Sequence, residues 1–197
     1  MSHFDIKNIK NPKFLKEMSY KDLDILSADI REEILDVVSK NGGHLSSNLG
    51  TVESIIALCK VFDFPKDKII FDVGHQCYTY KILTGRDLST LRKKDGISGF
   101  QKLNESEYDC YECGHSSTSI SAAMGFATAR DIKNENYSVI SYIGDASFDN
   151  GLAFEAITNL SRKDSKIIII VNDNGMSIGL HEGGLSGFFR KISESKI

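Results

Sequence analysis

Two apolar runs, with one helix's length of chain between them, dictate the architecture. The first, Ser138-Val139-Ile140-Ser141-Tyr142-Ile143, leads into Gly144-Asp145-Ala146. The second, Ile167-Ile168-Ile169-Ile170-Val171, leads into Asn172-Asp173-Asn174. Short continuous apolar runs that stop at polar residues read as buried strands. Residues 151–160 between them read as a helix. Strand, helix, strand is a crossover unit, so the two strands run parallel. Asp145 and Asn174 then share the carboxyl edge of one sheet, where open α/β sheets bind ligands. A carboxylate beside an amide oxygen suits a small hard cation such as Mg²⁺, which keeps positions for water and phosphate oxygens. Either residue alone would be an ordinary turn former; the spacing favours the pair.

The rest of the chain extends this plan. Residues 1–18 mix Asn, Lys and Pro12 and read as an N-terminal surface arm, leaving 19–197 as the main domain. Ser19 caps a helix over residues 20–40, whose Leu23, Ile25, Leu26, Ile30, Ile34, Leu35 and Val38 recur at helical spacing. Asn41-Gly42-Gly43 ends it. His44-Leu45-Ser46-Ser47-Asn48-Leu49-Gly50 reads as a polar loop, and residues 51–62 as a second helix. A strand over 68–72 follows the turn Pro65-Lys66-Asp67, with Gly74-His75-Gln76 just past its carboxyl end. Residues 85–113 look irregular, and so long a stretch is expected to cover something or to act. A helix over 117–133 carries Ala122, Ala123, Gly125, Ala127 and Ala129, which suit close packing on a sheet. The predicted fold is α/β, a parallel sheet with helices on both faces.

Composition excludes several functions. A chain of 197 residues, 41% hydrophobic and 26% charged, can build one sizeable globular core. A net charge of −3 without a basic run offers nothing to nucleic acid. No apolar stretch approaches the roughly 18 residues of a membrane span. Met1-Ser2-His3-Phe4-Asp5 lacks the apolar centre of a leader peptide, so the expected location is cytoplasmic. Of the four cysteines, Cys110 and Cys113 form a C-x-x-C. No second pair completes a zinc site, and a redox motif would open the first helix of a small βαβ domain. Inert thiols are expected.

Candidate chemistry gathers in the loops. Gly114-His115-Ser116-Ser117 precedes the small-residue helix, and a helix start offers orphan N–H groups and a positive dipole end to phosphate. The plainer reading is a serine cap beside a surface histidine. His44, His75 and His115 all fall in loops near the expected carboxyl edge, where imidazoles can hold phosphate or move protons. His181 has no motif around it and is unassigned.

In order along the chain, His44-Leu45-Ser46-Ser47-Asn48-Leu49-Gly50, Asp72-Val73-Gly74-His75-Gln76, Lys81-Ile82-Leu83-Thr84-Gly85-Arg86, Glu105-Ser106-Glu107-Tyr108-Asp109 and Gly114-His115-Ser116-Ser117-Thr118-Ser119-Ile120-Ser121 stand at characteristic spacing. Gly144-Asp145, Ala153-Phe154-Glu155-Ala156 and Asn172-Asp173-Asn174-Gly175-Met176-Ser177-Ile178 complete the set. Together they resemble the N-terminal domain of 1-deoxy-D-xylulose-5-phosphate synthases, thiamine-diphosphate transferases of the transketolase superfamily. The resemblance implies Mg²⁺ held by Asp145 and Asn174 side chains and the Met176 carbonyl. It implies Gly114, His115, Ser116, Ala146, Ser147 and Asn174 against the cofactor diphosphate, His75 as a cofactor-binding histidine, and His44 facing the substrate in proton transfer. The implied reaction joins pyruvate to glyceraldehyde 3-phosphate with loss of CO₂.

Two departures from the family pattern bear on this. Ala146 stands where the family has glycine, and a backbone needing positive φ there would be strained. Ser147-Phe148-Asp149-Asn150 adds a ring and a carboxylate where the family is mostly small and neutral. The family also continues into a pyrimidine-binding domain and a third domain. The resemblance therefore implies a partner chain carrying the pyrimidine-binding domain, a homo-oligomer, or both. A transketolase-type subunit for another sugar, a truncated or decayed copy, and a non-catalytic regulatory remnant are the alternatives.

Overall fold

Three parallel strands, β1 (Lys68–Phe71), β2 (Val139–Gly144) and β3 (Ile168–Asn172), lie side by side in that order. The structure, a computed structural model, describes residues 4–160, 165–173 and 191. In register, Phe71 stands opposite Tyr142, and Gly144 opposite Asn172. All three carboxyl ends therefore open on one edge, as the two apolar runs predict. The period of two sorts the side chains between faces. Ile69, Phe71, Ile140 and Tyr142 join one core cluster with α1 (Tyr20–Asn41), α3 (Val52–Val61) and α4 (Tyr78–Leu83). Ile70, Val139 and Ile143 face the other way, onto α5 (Ser119–Ile132) and α7 (Gly151–Leu160). The expected α/β sheet with helices on both faces is what the chain forms.

The long helices follow their sequence signals. The Ser19 hydroxyl accepts from the Asp22 amide and opens α1. Gly42 ends it at φ 73, a left-handed turn where a side chain would be strained. Ala123 and Ala127 are fully buried, which lets α5 lie close over Ile70 and Val139. Residues expected as a polar loop contain a short helix, α2 (Leu45–Leu49), which buries Asn48. α4 had no sequence signal: all six of its residues are buried, so no polar face marks a helical period. The arm is not the surface segment expected: Leu15 is fully buried in the main core, and the Lys60 ammonium donates to the carbonyls of Leu15, Lys16 and Met18.

The irregular stretch 85–113 is a cover held by buried charge. Lys81 of α4 pairs with Glu105, while Arg86 Nη1 lies 2.5 Å from Asp109 and 3.4 Å from Glu105. Glu105 also accepts from the Ser98 amide, and Asp109 from the Lys102 amide. Nearby, Gln101 closes the outer edge of β1. Its Oε1 accepts from Phe71 N–H at 3.0 Å, and its Nε2 donates to the Ile69 carbonyl at 3.2 Å.

Candidate functional site at the carboxyl edge of the sheet

Asp145 follows β2 directly and begins the four-residue helix α6 (Asp145–Phe148). Asp173 follows β3, so a carboxylate from each strand's end reaches the same edge. Asn174, Met176 and His181 lie outside the described residues. Ala146 and Ser147 sit half-buried in α6. Ala146 has ordinary helical backbone and is absent from the residues with positive φ, so its methyl group brings no backbone strain.

The neighbouring loop is anchored by a buried carboxylate. Asp72, at the end of β1, is 1% exposed. Its Oδ1 accepts from the Ser117 amide at 2.8 Å and its Oδ2 from the Ser119 amide at 3.1 Å. The positive end of α5 is therefore already matched by a carboxylate inside the protein. Ser117, at φ 70, in turn donates its hydroxyl to the Ser147 carbonyl at 2.7 Å. This bond ties α6 to the segment just before α5. Gly114, His115 and Ser116 stay exposed, and a Cβ on Gly114 would meet nothing within 4 Å. The space in front of this backbone is open.

His44 and His75 come together across the end of β1. Their rings stand edge to face, centroids 5.4 Å apart, with Phe100 5.8 Å from His44. His75 Nδ1 is buried and has no hydrogen-bond partner among the described residues. His115 is not brought into this pair. Burial first, then the charge of Arg92, lowers the His44 pKa. Burial first, then His44, lowers that of His75, with Asp72 pulling weakly the other way. Both imidazoles are thus held neutral near pH 7, able to accept a proton.

The unfolded chain takes up protons at these histidines below about pH 6.5, before the folded chain does. Their contribution is fully present above that pH and is lost as pH falls through the lowered native values. Urea midpoints measured from about pH 7.5 down to about pH 5 should decline, and His44→Gln/His75→Gln should flatten the decline. An unchanged slope in the double variant would count against neutral imidazoles in the fold.

Burial holds three of the four thiols in the protonated form. Burial raises Cys77 to about 12 and Cys110 to about 11. Cys113 is lowered: hydrogen bonds involving Thr118 and the His115 backbone outweigh the opposing effect of burial, its largest single influence. Among the described residues no group of three or more His, Cys, Asp or Glu could hold a metal ion. Among them, too, no helix is long and apolar enough to cross a membrane. Sequence reasoning passed over Asn48 and Asp72 as individuals. Their only signal was a polar residue inside a longer motif, and most of their partners lie 27 or more positions away in sequence.

Known proteins match this chain along nearly its whole length. A family model described as 1-deoxy-D-xylulose-5-phosphate synthase matches residues 6–197. A synthase of that name from Clostridium beijerinckii is 55% identical over 183 residues, 92% of this chain and 30% of that protein. One from a Geobacillus species is 54% identical over 190 residues, 95% of this chain and again 30% of the relative. The chain thus spans about 30% of the length of the curated relatives it matches. Among solved structures, transketolase from Leishmania mexicana superposes with a TM-score of 0.73 at 18% identity, over 88% of this chain and 31% of that one. Transketolase from Campylobacter jejuni gives 0.70 at 22% identity, over 86% and 30%. At such identities the solved structures speak for the fold alone, and they agree with the parallel sheet. With its motifs in order and the family match covering residues 6–197, the chain belongs to the 1-deoxy-D-xylulose-5-phosphate synthase family, in its N-terminal region.

Proposed function

We propose that this chain is the thiamine-diphosphate- and Mg²⁺-binding N-terminal portion of a transferase that joins pyruvate to glyceraldehyde 3-phosphate with loss of CO₂. Residues 19–197 would form the diphosphate-end domain, with 1–18 as its N-terminal arm. Turnover would require a pyrimidine-binding domain, on the same polypeptide or on a partner, and the assembly would work in the cytoplasm. What supports the reading above all is the family match together with Asp145 standing at the carboxyl end of β2, level with the end of β3.

In this reading Asp145, Asn174 and the Met176 carbonyl hold Mg²⁺, leaving positions for diphosphate oxygens and water. Gly114, His115, Ser116, Ala146, Ser147 and Asn174 line the diphosphate. The Ser117 and Ser119 amides are engaged by Asp72, so the anion meets the exposed 114–116 backbone and the metal. Thiamine diphosphate supplies an electron sink for the donor's carbonyl carbon. His75 steadies the cofactor, its orphaned Nδ1 available to it. His44, kept neutral, takes up or returns a proton on the substrate side.

Isothermal titration with thiamine diphosphate, with and without Mg²⁺, tests the binding. Heat is expected only with Mg²⁺ present. Asp145→Ala should weaken the Mg²⁺-dependent binding at least about tenfold, near 1.4 kcal/mol. No heat under either condition, or identical binding by Asp145→Ala, would overturn the proposal.

A further inference from the structure

Among the described residues neither the His44 nor the His75 ring makes a hydrogen bond, so their positions come from backbone and packing. Asn48 touches the backbone of both. Its Nδ2 donates to the His44 carbonyl at 2.6 Å and to the His75 carbonyl at 2.7 Å. Its Oδ1 accepts from the Tyr78 amide at 2.9 Å, at the first turn of α4. The side chain is fully buried. Two segments about 30 positions apart, residues 44–48 and 75–78, therefore meet on one carboxamide.

The chemistry of that group is specific. Two donors on one nitrogen reach two carbonyls, and the oxygen takes a third group, which no other side chain of this length can do. Serine has one donor, aspartate has none when ionised, and leucine would leave two carbonyls and an amide unsatisfied. Thr51 adds a weaker second tie, its hydroxyl 3.1 Å from the Asn48 carbonyl and 3.4 Å from that of Gln76. The Tyr78 hydroxyl holds the His44 amide at 3.2 Å from the other side. We infer that Asn48 is the positioning residue of this site, setting the separation and facing of His44 and His75. Its meaning for turnover rests on the function proposed above; the geometry does not.

The test needs no cofactor, so it can fail or succeed independently of thiamine diphosphate binding. Histidine-labelled chain is followed by NMR, reading ring-to-ring contact between His44 and His75 and the titration of each imidazole. The charged neighbours are Arg92 at His44 and Asp72 at His75, and neither is altered. Asn48→Ala should abolish the ring contact and move both midpoints towards the ordinary histidine value while the chain stays folded. Asn48→Ser, with one donor left, should fold more readily and retain a weakened contact. Folded Asn48→Ala with ring contact and midpoints intact would overturn the inference. Failure of both variants to fold would also overturn it, by assigning Asn48 to stability alone.

Discussion

Lys81→Met is expected to destabilise the chain by about 3–5 kcal/mol, the usual result of removing one member of a buried ion cluster. Lys81 is fully buried, and its partners Glu105 and Asp109 are 13% and 0% exposed at their side chains. With Arg86 the cluster holds two positive and two negative groups in balance. Methionine fills the aliphatic volume but leaves a net negative charge away from water. Urea unfolding measures the loss. The companion variant Lys81→Met/Glu105→Gln restores neutrality and should recover a substantial part of it. A single-variant loss below about 1 kcal/mol would mean that water reaches the cluster and screens it.

Asp72→Asn is expected to lose about 2–4 kcal/mol and to loosen the loop before α5. The carboxylate accepts from two amides, one on each oxygen. An asparagine of the same shape can accept on one side only, and on the other sets an NH₂ against an N–H. Amide hydrogen exchange at Ser117 and Ser119 reports this locally: both should be protected in the unaltered chain, and at least one should exchange faster in the variant. Equal protection would show that other partners hold these amides. Since Ser117 also reaches Ser147 in α6, the function proposed above expects Mg²⁺-dependent binding of thiamine diphosphate to weaken along with the loosening.

The residues that announced themselves in the sequence are those whose environment repeats along the chain. The unbroken apolar run of β2, buried on both faces, the apolar spacing of α1 and the small residues of α5 each reflect surfaces that meet a neighbour along their length. The groups that hold the carboxyl edge together have no such period. Asn48 bonds to residues 27 and 30 positions away, and Asp72 to amides 45 and 47 away. A buried polar side chain looks like a loop residue until the fold brings its partner. α4 escaped for the opposite reason, being enclosed on every side and carrying a lysine inside the protein. The alanine at 146 invited a question about strain that only its backbone conformation could answer.

The amide of Gln101 gives the sheet a direction of growth. By satisfying Ile69 and Phe71 as a neighbouring strand would, it makes β1 a finished margin. β3 is the opposite case: Ile168 and Val171 are 40% and 37% exposed. An added strand is therefore expected beside β3 rather than β1. An engineered extension or fusion should be attached on that flank, and one designed to pair with β1 would first have to evict a side chain.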